Sequence, residues 1–173
     1  MSVVVTSAIV LLVVLLAIGS HNRLLRARRK VLDAWRQVDL QLRRRHDVVR
    51  RLLTSVPDLS PVHGLSLDAV TVARNGAAAA GGPAEAARKE RELSQALEDL
   101  SRSIANDGQL EANQQLRLLR DELVAAEHAI TTAWQVYNEL AIKYNAAIRV
   151  VPNNFIAAFG NFRPAEPSSH ADP

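Results

Sequence analysis

The chain contains no cysteine, and it has only seven glycines, seven prolines and 4% aromatic residues in a length of 173. The absence of cysteine excludes a disulfide-stabilised secreted module, a thiolate zinc site and a cysteine nucleophile. The small number of aromatic and turn-forming residues argues against a β-sandwich or a β-barrel. The remaining composition is rich in leucine and alanine, which favour helices. We therefore predict an all-α fold.

Recognisable catalytic and ligand-binding motifs are also missing from the sequence. There is no phosphate-binding loop, dinucleotide-binding motif or nucleophile elbow, and the five histidines do not stand at metal-ligand spacing. Glu122 and Glu127 are five residues apart, so a helix does not place their carboxylates on one face. We expect no catalytic residue, no metal ion and no cofactor, and we expect the protein not to be an enzyme.

A long hydrophobic run stands at the N-terminus, where residues 2–19 carry no charge. Eighteen helical residues extend about 27 Å, which is close to the thickness of the hydrocarbon core of a bilayer. The sequence therefore predicts a transmembrane signal-anchor in residues 1–20. Cleavage after Ala17-Ile18-Gly19 is the alternative, although the basic region that precedes the apolar part of a signal peptide is missing.

The residues that follow this run predict its orientation. Basic residues next to a membrane span stay on the cytoplasmic side, so we expect the N-terminus outside and the remainder of the chain in the cytoplasm, at the cytoplasmic membrane. The first basic cluster lies within roughly 15 Å of the end of the span, where it can contact anionic headgroups of membrane lipids. Its members are Arg23, Arg26, Arg28, Arg29 and Lys30.

The formal net charge of +3 hides an uneven distribution. Residues 21–51 contain eleven basic and three acidic residues, whereas the chain after residue 51 is acidic. Residues 43–51 lie too far from the span to be attracted by lipid, because the Debye length is about 8 Å. No aromatic residue is interleaved among them, so we expect no nucleic-acid partner. We expect them to pair with an acidic residue of the last long helix, such as Glu111, Asp121 or Glu122, or to bind a partner protein.

Apolar residues recur at helical spacing in four segments. The segments are separated by stretches rich in proline and glycine, which break helices. The first helix continues the anchor to about residue 55, and Arg28 and Arg45 interrupt its apolar seam. The second starts with Ser66 as N-cap, the third covers about 84–105, and the fourth covers 109–151 and ends before Pro152. In the fourth helix, the seam positions from Leu116 to Val151 alternate by three and four residues. Each of them is apolar or tyrosine, which predicts coiled-coil-like packing. The simplest arrangement is an antiparallel up-down four-helix bundle over residues 21–151.

Two Tyr-Asn dipeptides stand seven residues apart in the fourth helix. We expect the rings of Tyr137 and Tyr144 to fill the seam, with their hydroxyl groups on polar partners. Asn138 and Asn145 would then fix the register of the helices. A surface that recognises a partner protein is the alternative for these residues.

All three phenylalanines lie in a short stretch after the last helix, residues 152–164, which we call the aromatic segment. One interpretation is a cap that packs on the end of the bundle. The other is an interfacial segment that touches lipid headgroups, because a fourth helix that returns to the bilayer would end at its surface. We expect residues 165–173 to form a disordered tail. The residues of the aromatic segment that would form the cap or touch the lipid are Phe155, Ile156, Phe159 and Phe162.

Together these motifs resemble the LemA family of bacterial membrane proteins, over nearly the whole chain. The matching residues are Asn22-x-Leu24, Ala34-Trp35-x-x-Val38-Asp39-x-Gln41-Leu42-Arg43-Arg44-Arg45, Asp47, Val70-Thr71-x-Ala73-Arg74-Asn75, Leu119, Glu122-Leu123, Glu127, Ile130, Ala133, both Tyr-Asn pairs, Pro152-x-Asn154-x-Ile156-Ala157 and Phe159-Gly160-x-Phe162. The sequence departs from the family pattern at His46, where a tyrosine is usual, at Arg50-Arg51, which replace a Pro-Asn pair, and at Val151 and Asn161, which replace phenylalanine.

The resemblance implies a single-pass anchor with a four-helix bundle on the cytoplasmic side, and it implies no established biochemical activity. Members are commonly encoded near membrane peptidases, and one branch is linked to magnetosome membranes, which favours an accessory or scaffolding role. We predict a membrane-tethered scaffold or interaction protein with an unidentified membrane or cytoplasmic protein partner, or with a second copy as a homo-oligomer. Trp35 and Asp39 join the two Tyr-Asn pairs as residues for register or partner binding.

Two alternative functions stay open at this point. The first is a regulatory subunit of a membrane peptidase or sensor. The second is a lipid-surface sensor that acts through residues 155–162.

Overall fold

The computed structural model describes residues 1–55, 64–106 and 112–168. These residues form five helices and no strand, so the predicted all-α fold is confirmed for the described part of the chain. The chain divides into two compact units, of which the first contains residues 1–35 and 136–167 and the second contains residues 36–135 with Ser168. The helices are α1 (Ser2–Ser55), α2 (Gly64–Ala78), α3 (Pro83–Ala105), α4 (Gln114–Arg149) and α5 (Asn153–Phe159).

The ends of the helices follow local chemistry that the sequence shows in part. α1 is continuous from the apolar run to residue 55, as predicted. α3 begins with Pro83, whose missing N–H is no loss at a first helical position. The Asn113 side chain accepts a hydrogen bond from the backbone N–H of Leu116, which caps the start of α4. α2 begins at Gly64 rather than at the predicted N-cap, Ser66, and residues 109–111 of the predicted fourth helix lie outside the described residues.

The second unit has an apolar core to which α1, α2, α3 and α4 all contribute. Its largest members include Leu52 of α1, Val70 of α2, Leu93 and Leu100 of α3, and Leu119 of α4. Burying a leucine or valine side chain contributes roughly 1.5–3 kcal/mol. Apolar positions that helical spacing assigned to the core side of α1 and α3 therefore lie in this core, together with residues of α2 and α4.

The buried stripe of α4 departs from the predicted heptad seam in its second half. Ala133, Leu140 and Ala147 were predicted to be buried, but the buried residues are Trp134, Ala141 and Ile148, one position later in each case. A straight helix has 3.6 residues per turn and drifts by about 20° per heptad relative to a strict seven-residue repeat. The drift moves the core-facing position by one residue, and it places the large Trp134 ring, rather than a methyl group, in the interior.

In the first unit, the N-terminal part of α1 is long and apolar enough to cross a membrane. The apolar side chains from Val3 to Ile18 are exposed, which is what a segment surrounded by lipid requires. Beyond them, Leu24 and Val31 of α1 are buried, and so are Tyr137, Tyr144 and Ile148 of α4. The first unit therefore combines a candidate membrane span with a small core.

Candidate functional site

The two Tyr-Asn dipeptides of α4 bind the extended segment that follows α5. The Tyr144 hydroxyl donates a hydrogen bond to the carbonyl oxygen of Arg163 at 3.1 Å. The Tyr137 hydroxyl donates to the carbonyl oxygen of Glu166 at 2.9 Å. Both rings are buried, as the seam predicted. Their polar partners are backbone atoms of the chain's own C-terminal segment.

Asn145 binds the same segment through both ends of its amide. Its Nδ2 donates to the carbonyl oxygen of Ala165 at 2.7 Å, and its Oδ1 accepts from the backbone N–H of Ala165 at 2.8 Å. A neighbouring β-strand would bond the N–H and the carbonyl oxygen of one residue in the same way, so the Asn145 side chain takes the place of a pairing strand. We call Tyr137, Tyr144 and Asn145 the Tyr-Asn cluster. Asn145 therefore holds the C-terminal segment, whereas the sequence suggested that it fixes helix register.

These contacts correct the predicted boundary of the tail. Residues 165–173 were predicted to form a disordered tail, but Ala165 and Glu166 are bound by side chains of α4. Ser168 is buried as well. Residues 169–173 lie outside the described residues.

The environment of the two tyrosines changes their acidity. Burial raises the pKa of the Tyr137 hydroxyl, and the negative charge of Glu166 raises that pKa further. Burial also raises the pKa of Tyr144, which the nearby Arg28 lowers in part. The stabilisation of the folded state that a buried neutral tyrosine gives is fully present below about pH 10, the pKa of tyrosine in the unfolded chain. It is lost as the pH rises through the raised pKa of the folded state.

We expect the phenolate absorbance of the folded chain to titrate with a midpoint above pH 10, which is about the pKa of a free tyrosine. The chain has only two tyrosines, so the whole signal comes from Tyr137 and Tyr144. An ultraviolet titration of the wild type, with Tyr144→Phe to isolate the signal of Tyr137, measures both. A midpoint at or below the value of the denatured chain would contradict the burial of these hydroxyls.

The other residues assigned to register or partner binding have separate environments. The indole of Trp35 meets the ring of Tyr137 edge-to-face, with 6.0 Å between the ring centroids, a geometry that aromatic pairs favour. Asp39 accepts a hydrogen bond from Arg43 Nε at 2.9 Å, one turn along the exposed face of α1. Asn138 is partly buried. The structure thus places Trp35 beside the Tyr-Asn cluster and Asp39 in a surface ion pair.

The first basic cluster lies on α1 directly after the candidate span, and all five of its side chains are exposed. Arg23, Arg26 and Lys30 share one face of the helix and line a groove with α4. Arg29 is rotated away from that face, because successive helical residues differ by about 100°. The cluster therefore presents three of its cations to one groove.

The aromatic segment forms α5 and the turn after it. Phe155 is 63% exposed and Phe159 is 93% exposed, one turn apart on α5, and Ile156 is partly buried. Phe162 is buried and packs edge-to-face on the imidazole of His21, at 5.5 Å between ring centroids. His21 stands two residues after the uncharged run. The aromatic segment therefore lies at the end of the candidate span, with two phenylalanine rings uncovered.

The turn after α5 explains the Phe-Gly-x-Phe motif. Asn161 adopts a left-handed conformation with φ of 53°, and the Phe162 N–H returns to the carbonyl oxygen of Ala157 at 3.2 Å. This is a Schellman C-cap, in which asparagine is an accepted substitute for glycine. A Cβ on Gly160 would stand 2.5 Å from the Phe162 ring. Glycine at that position is what allows Phe162 to fold back towards His21.

The second unit contains a buried ionic cluster that sequence reasoning found only in part. Glu90 of α3 is fully buried and accepts from Arg45 Nη1 at 2.8 Å. His46 Nε2 lies 2.5 Å from its other carboxylate oxygen. Arg45 Nη2 also binds Ser94 Oγ at 2.8 Å and Glu127 Oε2 at 3.1 Å. The apolar seam of α1 marked Arg45 as an exception. The seam of α3, continued three residues before Leu93, reaches Glu90 and is the signal that could have found it.

The prediction that residues 43–51 pair with acidic residues of the last long helix is confirmed at one of the proposed partners. Arg51 forms an ion pair with Glu122. Glu111 lies outside the described residues. Exposed pairs of this kind contribute about 0–1 kcal/mol, so Arg51 adjusts the packing of α1 on α4 rather than stabilising it strongly.

Comparison with known proteins gives one match and one negative result. A search of curated proteins found no similar sequence. The model of the LemA family matches residues 34–172, a range that contains the buried ionic cluster, the Tyr-Asn cluster and the aromatic segment. This match covers most of the chain and includes every motif of the resemblance except Asn22-x-Leu24, so the chain belongs to the LemA family.

Proposed function

We propose that this protein is a membrane-tethered, non-enzymatic scaffold or interaction protein at the cytoplasmic face of the bacterial membrane. The apolar run and the basic cluster that follows it support the tethering and its orientation. Membership of the LemA family supports a helical, membrane-associated protein.

One observation carries the non-enzymatic part of the proposal. The most distinctive polar side chains of α4, Tyr137, Tyr144 and Asn145, bind the backbone of residues 163–166. Their hydroxyl and amide groups are therefore used to build the protein. A catalytic site instead needs such groups directed at a substrate.

We further propose that residues 21–151 form an antiparallel four-helix bundle. The contacts between α1 and α4 in the second unit support this. Residues later in α1 contact residues earlier in α4, as two antiparallel helices do. The contacting pairs are Arg45 with Glu127, Arg51 with Glu122, and Ser55 with Gln115. Antiparallel neighbours are also what short connections between helices favour.

The exposed rings of the aromatic segment favour a second role, contact with the lipid surface. Phe155 and Phe159 are exposed, and the segment that carries them packs on His21 at the end of the candidate span. Phenylalanine side chains at this depth gain free energy by entering the interface. A tryptophan in place of Phe159 should be quenched by lipids that carry a spin label near the headgroup, and an absence of quenching would exclude this role.

Photo-crosslinking in intact membranes tests the scaffold role. Leu40 is exposed on the part of α1 that we propose to be cytoplasmic. Val38, two residues before it, is fully buried. A photoreactive amino acid at position 40 of the full-length chain should give discrete adducts, and the same group at position 38 should give none. Adducts with a second copy would identify a homo-oligomer, and adducts with a membrane peptidase would favour the regulatory alternative. An absence of adducts from position 40 and from exposed Leu118 of α4 would contradict the proposal.

A further inference from the structure

A basic groove lies in the first unit between α1 and α4, with a volume of about 310 Å³. Four of its eight lining residues are cationic: Arg23, Arg26 and Lys30 from α1, and Lys143 from α4. The remaining lining residues are Ala27, Leu140, Tyr144 and Ala147. The groove thus has cationic edges, an apolar lining between them and no carboxylate among its lining residues.

The groove begins close to the end of the candidate span. Arg23 stands four residues after Gly19, which is about 6 Å along a helix, and Lys30 stands about 16 Å along. The headgroup region adds roughly 5–8 Å to each side of the hydrocarbon core. The mouth of the groove, at Arg23, therefore lies at the depth of the lipid phosphates. Arginine at that depth can bind two phosphate oxygens at once through its planar guanidinium group.

Lys143 distinguishes this groove from a general attraction between a basic helix and an anionic surface. It lies outside the first basic cluster in the sequence and comes from the other helix. Its ammonium group forms an ion pair with Glu139, one turn before it on the exposed face of α4. A phosphate group in the groove would therefore have cations on both sides, from two different helices.

We propose that this groove binds the phosphodiester group of an anionic phospholipid from the adjoining leaflet. The proposal rests on the membrane tethering proposed above. The four cations of the groove attract the phosphate and repel a quaternary ammonium group. The groove therefore favours phosphatidylglycerol over a zwitterionic lipid with the same acyl chains, whose phosphate carries the same charge. Bound lipid would fix the first unit at the bilayer surface.

Native mass spectrometry of the full-length protein in detergent tests this, with phosphatidylglycerol, phosphatidylcholine and glycerol phosphate as the three probes. We expect preferential retention of phosphatidylglycerol. Lys143→Gln should weaken that binding about fivefold, which corresponds to the loss of about 1 kcal/mol per basic residue near a lipid phosphate. Arg149→Gln removes the same charge from the exposed surface of α4 outside the groove and should leave the affinity unchanged. Glu139→Gln frees Lys143 and should maintain or increase the affinity for phosphatidylglycerol. If the ion pair instead acted by stabilising the structure, Lys143→Gln and Glu139→Gln would both bind phosphatidylglycerol more weakly.

Three results would overturn the proposal. Equal losses in Arg149→Gln and Lys143→Gln would show diffuse attraction, and equal retention of phosphatidylcholine would show that the net charge of the lipid is not selected. Equally tight binding of glycerol phosphate would make the ligand a free phosphate ester. Failure of the tethering itself is seen separately, because a protein without a membrane span is released from membranes by alkaline carbonate whatever it binds in detergent.

Discussion

Replacing Glu90 with leucine should lower the free energy of unfolding by about 3–5 kcal/mol, because the change leaves a buried arginine without its main partner. The Glu90 carboxylate is fully buried and binds Arg45 and His46. The Arg45 side chain is itself almost completely buried, and the half-exposed Glu127 is the counter-charge that it keeps among the described residues. Urea denaturation of the purified full-length protein in micelles, followed by circular dichroism, measures the loss.

Two control variants make this prediction specific. Arg45→Met combined with Glu90→Leu removes both buried charges together, so it should recover most of the lost stability. Asp47→Asn breaks the exposed pair with Arg50 and should cost about 0–1 kcal/mol. A loss below about 1 kcal/mol for Glu90→Leu alone would show that the cluster is hydrated rather than buried.

Asn145→Ala should release the C-terminal segment from α4. The change removes two hydrogen bonds to Ala165, each of which contributes about 0.5–1.5 kcal/mol net. We expect the amide of Ala165 to exchange with solvent at least about tenfold faster, the factor that about 1.4 kcal/mol produces. Hydrogen exchange read by mass spectrometry over residues 163–167 measures this effect.

Gln135→Ala is the matched control, since it removes an exposed amide from the same helix. It should leave the exchange of residues 163–167 unchanged. Unchanged exchange in Asn145→Ala would contradict the assignment of Asn145 to the C-terminal segment.

The helices could be predicted from the sequence because their signals are local. The apolar seam of α1 and α3, the breaks at proline and glycine, and the continuity of α1 all follow from residues close in sequence. In the second half of α4, Tyr137 and Tyr144 were placed correctly, whereas every other seam position was placed one residue too early, because a strict heptad repeat does not describe a straight helix. Trp134 is the residue that would have shown this, since its large apolar ring is the natural occupant of a buried position.

The candidate site depended on contacts between distant residues. Arg45 could be recognised as an exception in its seam, but its partner lies 45 residues away on another helix. The burial of Tyr137 and Tyr144 could be predicted from their seam positions, whereas their backbone partners could not, because a carbonyl group gives no signal in a sequence. Lys143 was missed because it is an ordinary surface lysine until α1 places three cations across from it.

In the topology proposed above, the apolar run crosses the membrane once and leaves the helical part of the chain in the cytoplasm. The chain has no cysteine, so Gln95→Cys on the exposed surface of α3 introduces a single thiol. A membrane-impermeant maleimide should label this thiol only after cells are permeabilised. Ser2→Cys, at the opposite end of the apolar run, should be labelled in intact cells. Labelling of the cysteine at position 95 from outside intact cells would contradict the account.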